Sequence, residues 1–169
     1  AVQPARFVSK TDVRAWPLLG WVVACGGTLF IERERKRDAL RVVHQVAEAL
    51  KGGDTIAMFP EGTTSDGRGL LPFHANLLQA AVATETPVQG IALRYSDASD
   101  EPSQTVVWIG DMTLAASLWT VAMAEGLHAH VLLLPVEVPG EGDRRVLAAR
   151  LRSRIAQAIG VSDLTPVDH

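Results

Sequence analysis

Cysteine is nearly absent from this sequence: Cys25 stands alone among 169 residues. That excludes an internal disulfide framework and a cysteine-based zinc site, and it permits a reducing compartment. An excess of positive charge is missing too. Sixteen lysines and arginines against nineteen acids leave a net charge of −3, whereas a dedicated nucleic-acid binder concentrates cations to displace phosphate counterions. The first residues lack a basic stretch followed by an apolar run, so they do not read as a secretory leader. Long hydrophobic runs are scarce. The longest uncharged one, Ala15 to Ile31, has 17 residues and is interrupted by Pro17, Gly20, Gly26 and Gly27. That pattern predicts a short buried helix and then a buried strand in place of a membrane span. Trp16, Leu18, Leu19 and Trp21 in the same run suit a lipid–water interface.

What is present fits one globular domain. The 47% hydrophobic content of an 18.1 kDa chain is enough for a sizeable core, and no repeat, low-complexity tract or linker divides it. The first residue is Ala1 and not Met, so the chain is expected to be a piece of something longer.

Apolar periodicity alternates along the chain. Arg6 to Ser9 and Thr28 to Arg33 read as strands. Asp38 is a candidate N-cap for a helix from Ala39 to Lys51, with Leu40, Val43, Val46, Ala47 and Leu50 on one face and Gly52-Gly53 ending it. Thr55 to Phe59 is a compact apolar strand. The stretch from Pro60 to Leu71, with Gly62, Gly67 and Gly69 among hydroxyl residues, is a loop. A helix from Phe73 to Ala83, strands at Val88 to Arg94 and Thr105 to Ile109, a helix from Leu114 to Glu125 and a strand from His130 to Val138 follow. Asp97, Asp100 and Glu101 mark a surface turn. Asp143 caps a last helix to Ile159, with Val146, Leu147, Leu151, Ile155 and Ile159 inward and its five arginines mostly outward. This order predicts an α/β fold with helices on both faces of a largely parallel central sheet.

Two stretches are candidates for chemistry. Phe59-Pro60-Glu61-Gly62-Thr63-Thr64-Ser65-Asp66-Gly67 directly follows a strand, where open α/β sheets bind ligands, and its N–H and hydroxyl groups can meet an oxygen-rich ligand. The same residues also fit an ordinary strand-to-helix turn with a solvated Glu61. Phe30 to Asp38 carries charges of both signs, as a solvated face does; its functional reading singles out Arg33, whose guanidinium can grip phosphate through two donors.

Gly27-Thr28-Leu29-Phe30-Ile31-Glu32-Arg33, then Phe59-Pro60-Glu61-Gly62-Thr63, then Pro87-Val88-Gln89-Gly90-Ile91-Ala92, resemble three successive blocks of the glycerolipid acyltransferase family, which includes bacterial 1-acyl-glycerol-3-phosphate acyltransferases. Lys10 and Pro17-Leu18-Leu19-Gly20 also stand where that family has them. The named motifs cover about residues 5 to 95. The resemblance implies transfer of an acyl group from acyl-CoA or acyl carrier protein, as co-substrate and with no other cofactor, to the free hydroxyl of a lysophospholipid. It implies 1-acyl-glycerol-3-phosphate as acceptor and phosphatidic acid as product. Lyso-ornithine lipid as acceptor, or a non-catalytic lipid- or phosphate-binding homologue, are the alternatives. It assigns the acceptor phosphate to Arg33, with Lys10, Glu61 and the Gly62-Thr63 backbone beside it. It also implies work at a membrane surface, on the cytoplasmic face of the inner membrane, peripheral or anchored by a segment outside these residues.

The family's general base is a His oriented by an Asp five positions later. Here the residues five positions beyond His44, His74, His128 and His130 are Ala49, Gln79, Leu133 and Pro135. The catalytic pair is therefore expected upstream of Ala1. Two departures stand out: Thr64 follows Glu-Gly-Thr where the family often has Arg, and Gly90 replaces a common Pro.

The remaining polar residues have structural readings. His44 reads as a packed histidine, and Cys25 as buried. His128 and His130 share a strand face, yet no carboxylate or cysteine spacing completes a metal site. Ser65 lacks the flanking glycines of a nucleophile elbow.

Overall fold

The computed structural model describes residues 4–10, 25–31, 36–108, 112–140 and 143–163. They form two compact units. One gathers residues within 1–60, 74–87 and 138–145, and the other residues within 61–73, 88–137 and 146–169.

The first unit is built on three parallel strands: β1 (Ala5–Lys10), β2 (Leu29–Ile31) and β3 (Thr55–Ala57), in the order β2-β1-β3. Parallel neighbours need a crossover, and helix α1 (Lys36–Lys51) supplies it between β2 and β3. Val42, Val46 and Ala47 of α1 are buried with Val8, Leu29 and Ile56, one residue from each strand, packed against them. The register sets Val8 opposite Leu29 and Arg6 opposite Ile56, so period-2 alternation gives all three strands one shared face for the helix. Asp38 lies inside the first turn and is not the cap. Leu40, expected inward, is 74% exposed, and Val42 takes its place in the core. His44 is exposed, since it sits off the stripe that Val42 and Val46 define. Cys25 is exposed as well, contrary to its apolar surroundings in sequence. The predicted helix stop holds: Gly53 has φ +88°, and Asp54 N–H reaches the Ala49 carbonyl at 3.0 Å, the bond that a left-handed glycine makes available.

The predicted helix from Phe73 to Ala83 is a 3₁₀ turn (Ala75–Leu78) that passes into the short helix α2 (Gln79–Ala83). Its Gln79 side-chain oxygen accepts from Arg144.

The second unit contains the loop 61–71, whose end forms the short strand β4 (Gly69–Leu70). It continues through β5 (Val88–Ser96), α3 (Leu114–Ala122), β6 (His128–Glu137), α4 (Arg144–Ile159, of which residues 146 onward belong here) and β7 (Ser162–Asp163). Strands β5 and β6 pair antiparallel with an irregularity between Gln89 and Ile91. At the irregularity, Gly90 has no side chain where Leu134 and Ile155 close in. Ala92 is fully buried with Leu70, Ala156 and Ile159.

Asp143 does cap α4: its Oδ1 accepts from Arg145 N at 3.0 Å. Leu147, Leu151 and Ile159 are buried as expected, but Val146 is 59% exposed because it falls off that stripe. The arginines are less free than an outer face implies, since Arg144, Arg150, Arg152 and Arg154 all donate to protein acceptors. Residues 105–108 form no strand: 105–106 are a turn, and Ile109, the end of the expected strand, lies outside the described residues. Asp97 explains this: its carboxylate accepts from the Ser99 and Asp100 N–H groups and from the Ser103 and Thr105 hydroxyls, and such side-chain bonds compete with a sheet ladder. Those four donors hold the Asp97 carboxyl far below the usual carboxylate range. Trp16, Leu18, Leu19 and Trp21 lie outside the described residues. Among the described residues, no helix is long and apolar enough to cross a membrane.

Candidate active site

Parallel strands leave their carboxyl ends on one side, the usual location of a site in such a sheet. Lys10 closes β1 and pairs in register with Ile31, the last residue of β2. Glu32 and Arg33 come next in sequence but lie outside the described residues, as does the side chain of Lys10. After β3 the chain runs through Met58, Phe59 and Pro60; the Phe59 and Phe7 rings stack with centroids 6.3 Å apart.

The polar groups of the loop that follows bond within it and to Trp108. Gly62 and Gly67 have φ of +70° and +73°, a region that β-carbons disfavour. Asp66 Oδ1 accepts from Arg68 N at 3.1 Å, and Ser65 Oγ from Gly67 N at 3.4 Å. Thr64, at the position where the resemblance leads one to expect arginine, donates its hydroxyl to the Trp108 carbonyl at 2.6 Å. Thr63 is exposed.

Glu61 is half-buried in a cleft of about 200 Å³ whose wall includes Ser65, Leu70, Leu93, Tyr95 and Val107. Its Oε2 accepts from Leu71 N at 2.8 Å. Burial pushes the carboxyl above its ordinary value of 4.5, against the Leu71 hydrogen bond and the positive charge of Arg152, which pull it down. Such a carboxylate can accept hydrogen bonds from the hydroxyls of a ligand through its second oxygen. Glu61 is therefore not the freely solvated residue of an ordinary connector. A larger cleft of about 480 Å³ shares Arg94 and Pro102 with the first and is lined by charges of both signs, Arg68 and Arg94 with Asp100 and Glu101.

Of the residues singled out from sequence, the structure gives Glu61 a defined polar setting and Gly62 a glycine-requiring conformation. It does not describe Arg33. The residue that sequence reasoning missed is Arg152, which donates to the carbonyls of Leu70 and Leu71. Helical periodicity marks it only as one arginine among five. His128 and His130 have ring centroids 6.5 Å apart, bonded respectively to the Gly126 carbonyl and the Ser96 hydroxyl. No group of three or more metal-ligating residues occurs among the described residues.

A family model described as Acyltransferase matches residues 2–94. Lyso-ornithine lipid O-acyltransferase of Pseudomonas aeruginosa is 36% identical to this chain, over 94% of the chain and 61% of that protein. 1-acyl-sn-glycerol-3-phosphate acyltransferase of Neisseria meningitidis is 33% identical over the same shares, 94% and 61%. The crystal structure of the 1-acyl-sn-glycerophosphate (LPA) acyltransferase from Thermotoga maritima superposes with a TM-score of 0.57 at 18% identity, covering 97% of this chain and 60% of that one. It bears out an α/β fold with a parallel sheet and helices. The chain thus spans about three fifths of the length of these relatives.

Proposed function

Since this chain belongs to the Acyltransferase family, we propose that the protein it comes from transfers a fatty acyl group from acyl-CoA or acyl carrier protein to the free hydroxyl of 1-acyl-glycerol-3-phosphate. The observation that carries this reading is Glu61: a half-buried carboxylate in a cleft, in the sequence block that directly follows a parallel strand. In this reading Glu61 and the Gly62-Thr63 backbone hold acceptor oxygens, and Arg33 with Lys10 grips the phosphate. Both units are read as parts of one acyltransferase domain. No histidine in the chain has an aspartate five positions later, so these residues supply the acceptor-holding part of the site and not the general base.

The acceptor is met at a membrane surface, at the cytoplasmic face of the inner membrane. Helix α3 supports this, because Ala115, Leu118, Trp119, Ala122 and Met123 form one exposed stripe without a charge, a composition suited to the interface.

Lyso-ornithine lipid is a second acceptor reading. The relative from Pseudomonas aeruginosa favours it, and so does the larger cleft, where Arg68 and Arg94 stand with Asp100 and Glu101 as a headgroup bearing both a carboxylate and an ammonium requires. Incubation of the intact protein with labelled acyl-CoA and a panel of lysolipids decides between them. Transfer to lysophosphatidic acid with a KM raised by Arg33→Ala supports the first reading; transfer confined to lyso-ornithine lipid replaces it; no transfer to any lysolipid refutes both.

A further inference from the structure

Arg152 occupies the stripe of α4 that also carries Ala148, Ala156 and Ile159, all of which are buried. An arginine there must find acceptors for its guanidinium or leave a charge unsatisfied. It finds them on the candidate loop. Its Nη2 donates to the Leu70 carbonyl at 2.6 Å and its Nε to the Leu71 carbonyl at 2.9 Å. Leu70 C=O and Leu71 N–H belong to one peptide group, and Glu61 Oε2 takes that N–H at 2.8 Å. One amide plane is thus held by a cation at its oxygen and by a carboxylate at its nitrogen. Each bond polarises the amide in the sense that strengthens the other, and charge-assisted bonds are the strong members of such chains.

We propose that Arg152 is a positioning residue for Glu61, acting through the Leu70–Leu71 peptide group to orient its carboxylate in the acceptor site. The proposal rests on the reading of Glu61 as an acceptor-binding group. The other groups around the same cleft are Asp66 on the loop and Arg94 and Tyr95 on β5. Asp66 is committed to Arg68 N, and Arg94 to the Ile159 carbonyl. The charge that draws on Glu61 is that of Arg152.

The test follows the Glu61 carboxyl by carbon NMR titration and, in the intact protein, the KM for the lysolipid acceptor. Arg152→Met is expected to move the Glu61 midpoint upward, since it removes the charge that draws it down. KM is expected to rise about ten-fold while kcat stays within about three-fold, because orientation of a bound group is lost and not the chemistry. Arg152→Lys keeps the charge on one ammonium without the planar fork that fits both carbonyls, so it restores most of the midpoint and part of KM; it carries the test if the Met variant does not fold. In a Glu61→Gln background, Arg152→Met should add little to KM. An unmoved Glu61 midpoint in Arg152→Met, or in Arg152→Lys a KM and a Leu71 amide shift equal to wild type, overturns the proposal. Additive KM effects in the double variant overturn it as well. Should Glu61→Gln alone leave KM unchanged, it is the acceptor-site reading that fails, and the NMR titration still decides whether Arg152 governs Glu61.

Discussion

Glu137 and Arg154 meet with Oε1 and Nη1 2.6 Å apart, joining the end of strand β6 to helix α4. Arg150, one helical turn earlier, donates to the other carboxylate oxygen. Glu137 is 8% exposed. Burial pushes its carboxyl up, but the hydrogen bonds and charges of Arg154 and Arg150 outweigh burial and hold it below its ordinary value of 4.5. Removing the charge leaves two guanidiniums facing a neutral amide. Glu137→Gln is expected to cost about 1–3 kcal/mol in denaturant unfolding at neutral pH, discounted from a fully buried pair because both arginines are partly exposed. A carboxyl with a lowered folded pKa contributes stability above its unfolded value and loses it as pH falls through the folded one. The difference between wild type and Glu137→Gln should therefore shrink below about pH 4.5.

Glu61 carries the opposite sign. Its folded pKa lies above 4.5, so between 4.5 and that raised value the folded chain holds a proton that the unfolded chain has released. The cost of the buried charge is fully present above the folded pKa and vanishes below 4.5. Wild type is expected to gain stability relative to Glu61→Gln as pH falls through this window. Thermal unfolding of both at several pH values checks it; a parallel course would mean that Glu61 is not raised.

Gly90 marks a packing limit. A β-carbon there would lie 3.2 Å from Leu134 Cδ1 and 3.6 Å from two atoms of Ile155. The nearest atom ends a flexible side chain, so Gly90→Ala should shift stability by no more than about 1 kcal/mol. Gly90→Val adds branches into the same space and is expected to cost about 1–3 kcal/mol. Equal stabilities of the two variants would show that the pocket over Gly90 yields freely.

Trp119 is 69% exposed on the uncharged stripe of α3. If that stripe meets lipid, Trp119→Glu lowers sedimentation with anionic phospholipid vesicles about ten-fold. Unchanged partition would remove α3 from the membrane contact.

The 169-residue chain contains no histidine followed by an aspartate five positions on. With labelled acyl-CoA and lysophosphatidic acid it should show no transfer above background. Measurable turnover by this chain would show that a different group serves as base.

The sequence alone determined the order of the longer described helices and strands, because burial of one face imposes a period of 3.6 or 2 that is visible in a line of residues. The cap at Asp143 and the stop at Gly53 were legible for the same reason: each is a local rule of backbone donors and φ. The family was legible through Phe59 to Thr63 and the blocks around it. What local rules could not show was partnership between distant residues. Thr105 to Trp108 has the composition of a strand, yet Asp97 captures the Thr105 and Ser103 hydroxyls and the segment turns. Four arginines of the last helix share one residue type yet divide among three sets of acceptors, decided by what the fold brings within reach: Glu137 for Arg150 and Arg154, Gln79 for Arg144, and two loop carbonyls for Arg152. Glu61 could be named from its motif, but its burial and its bond to Leu71 N–H, in a peptide group that Arg152 grips at the Leu70 carbonyl from 82 residues away in sequence, are contacts in space. Hydrogen bonds and desolvation depend on distance in space, and only the tertiary structure supplies that distance.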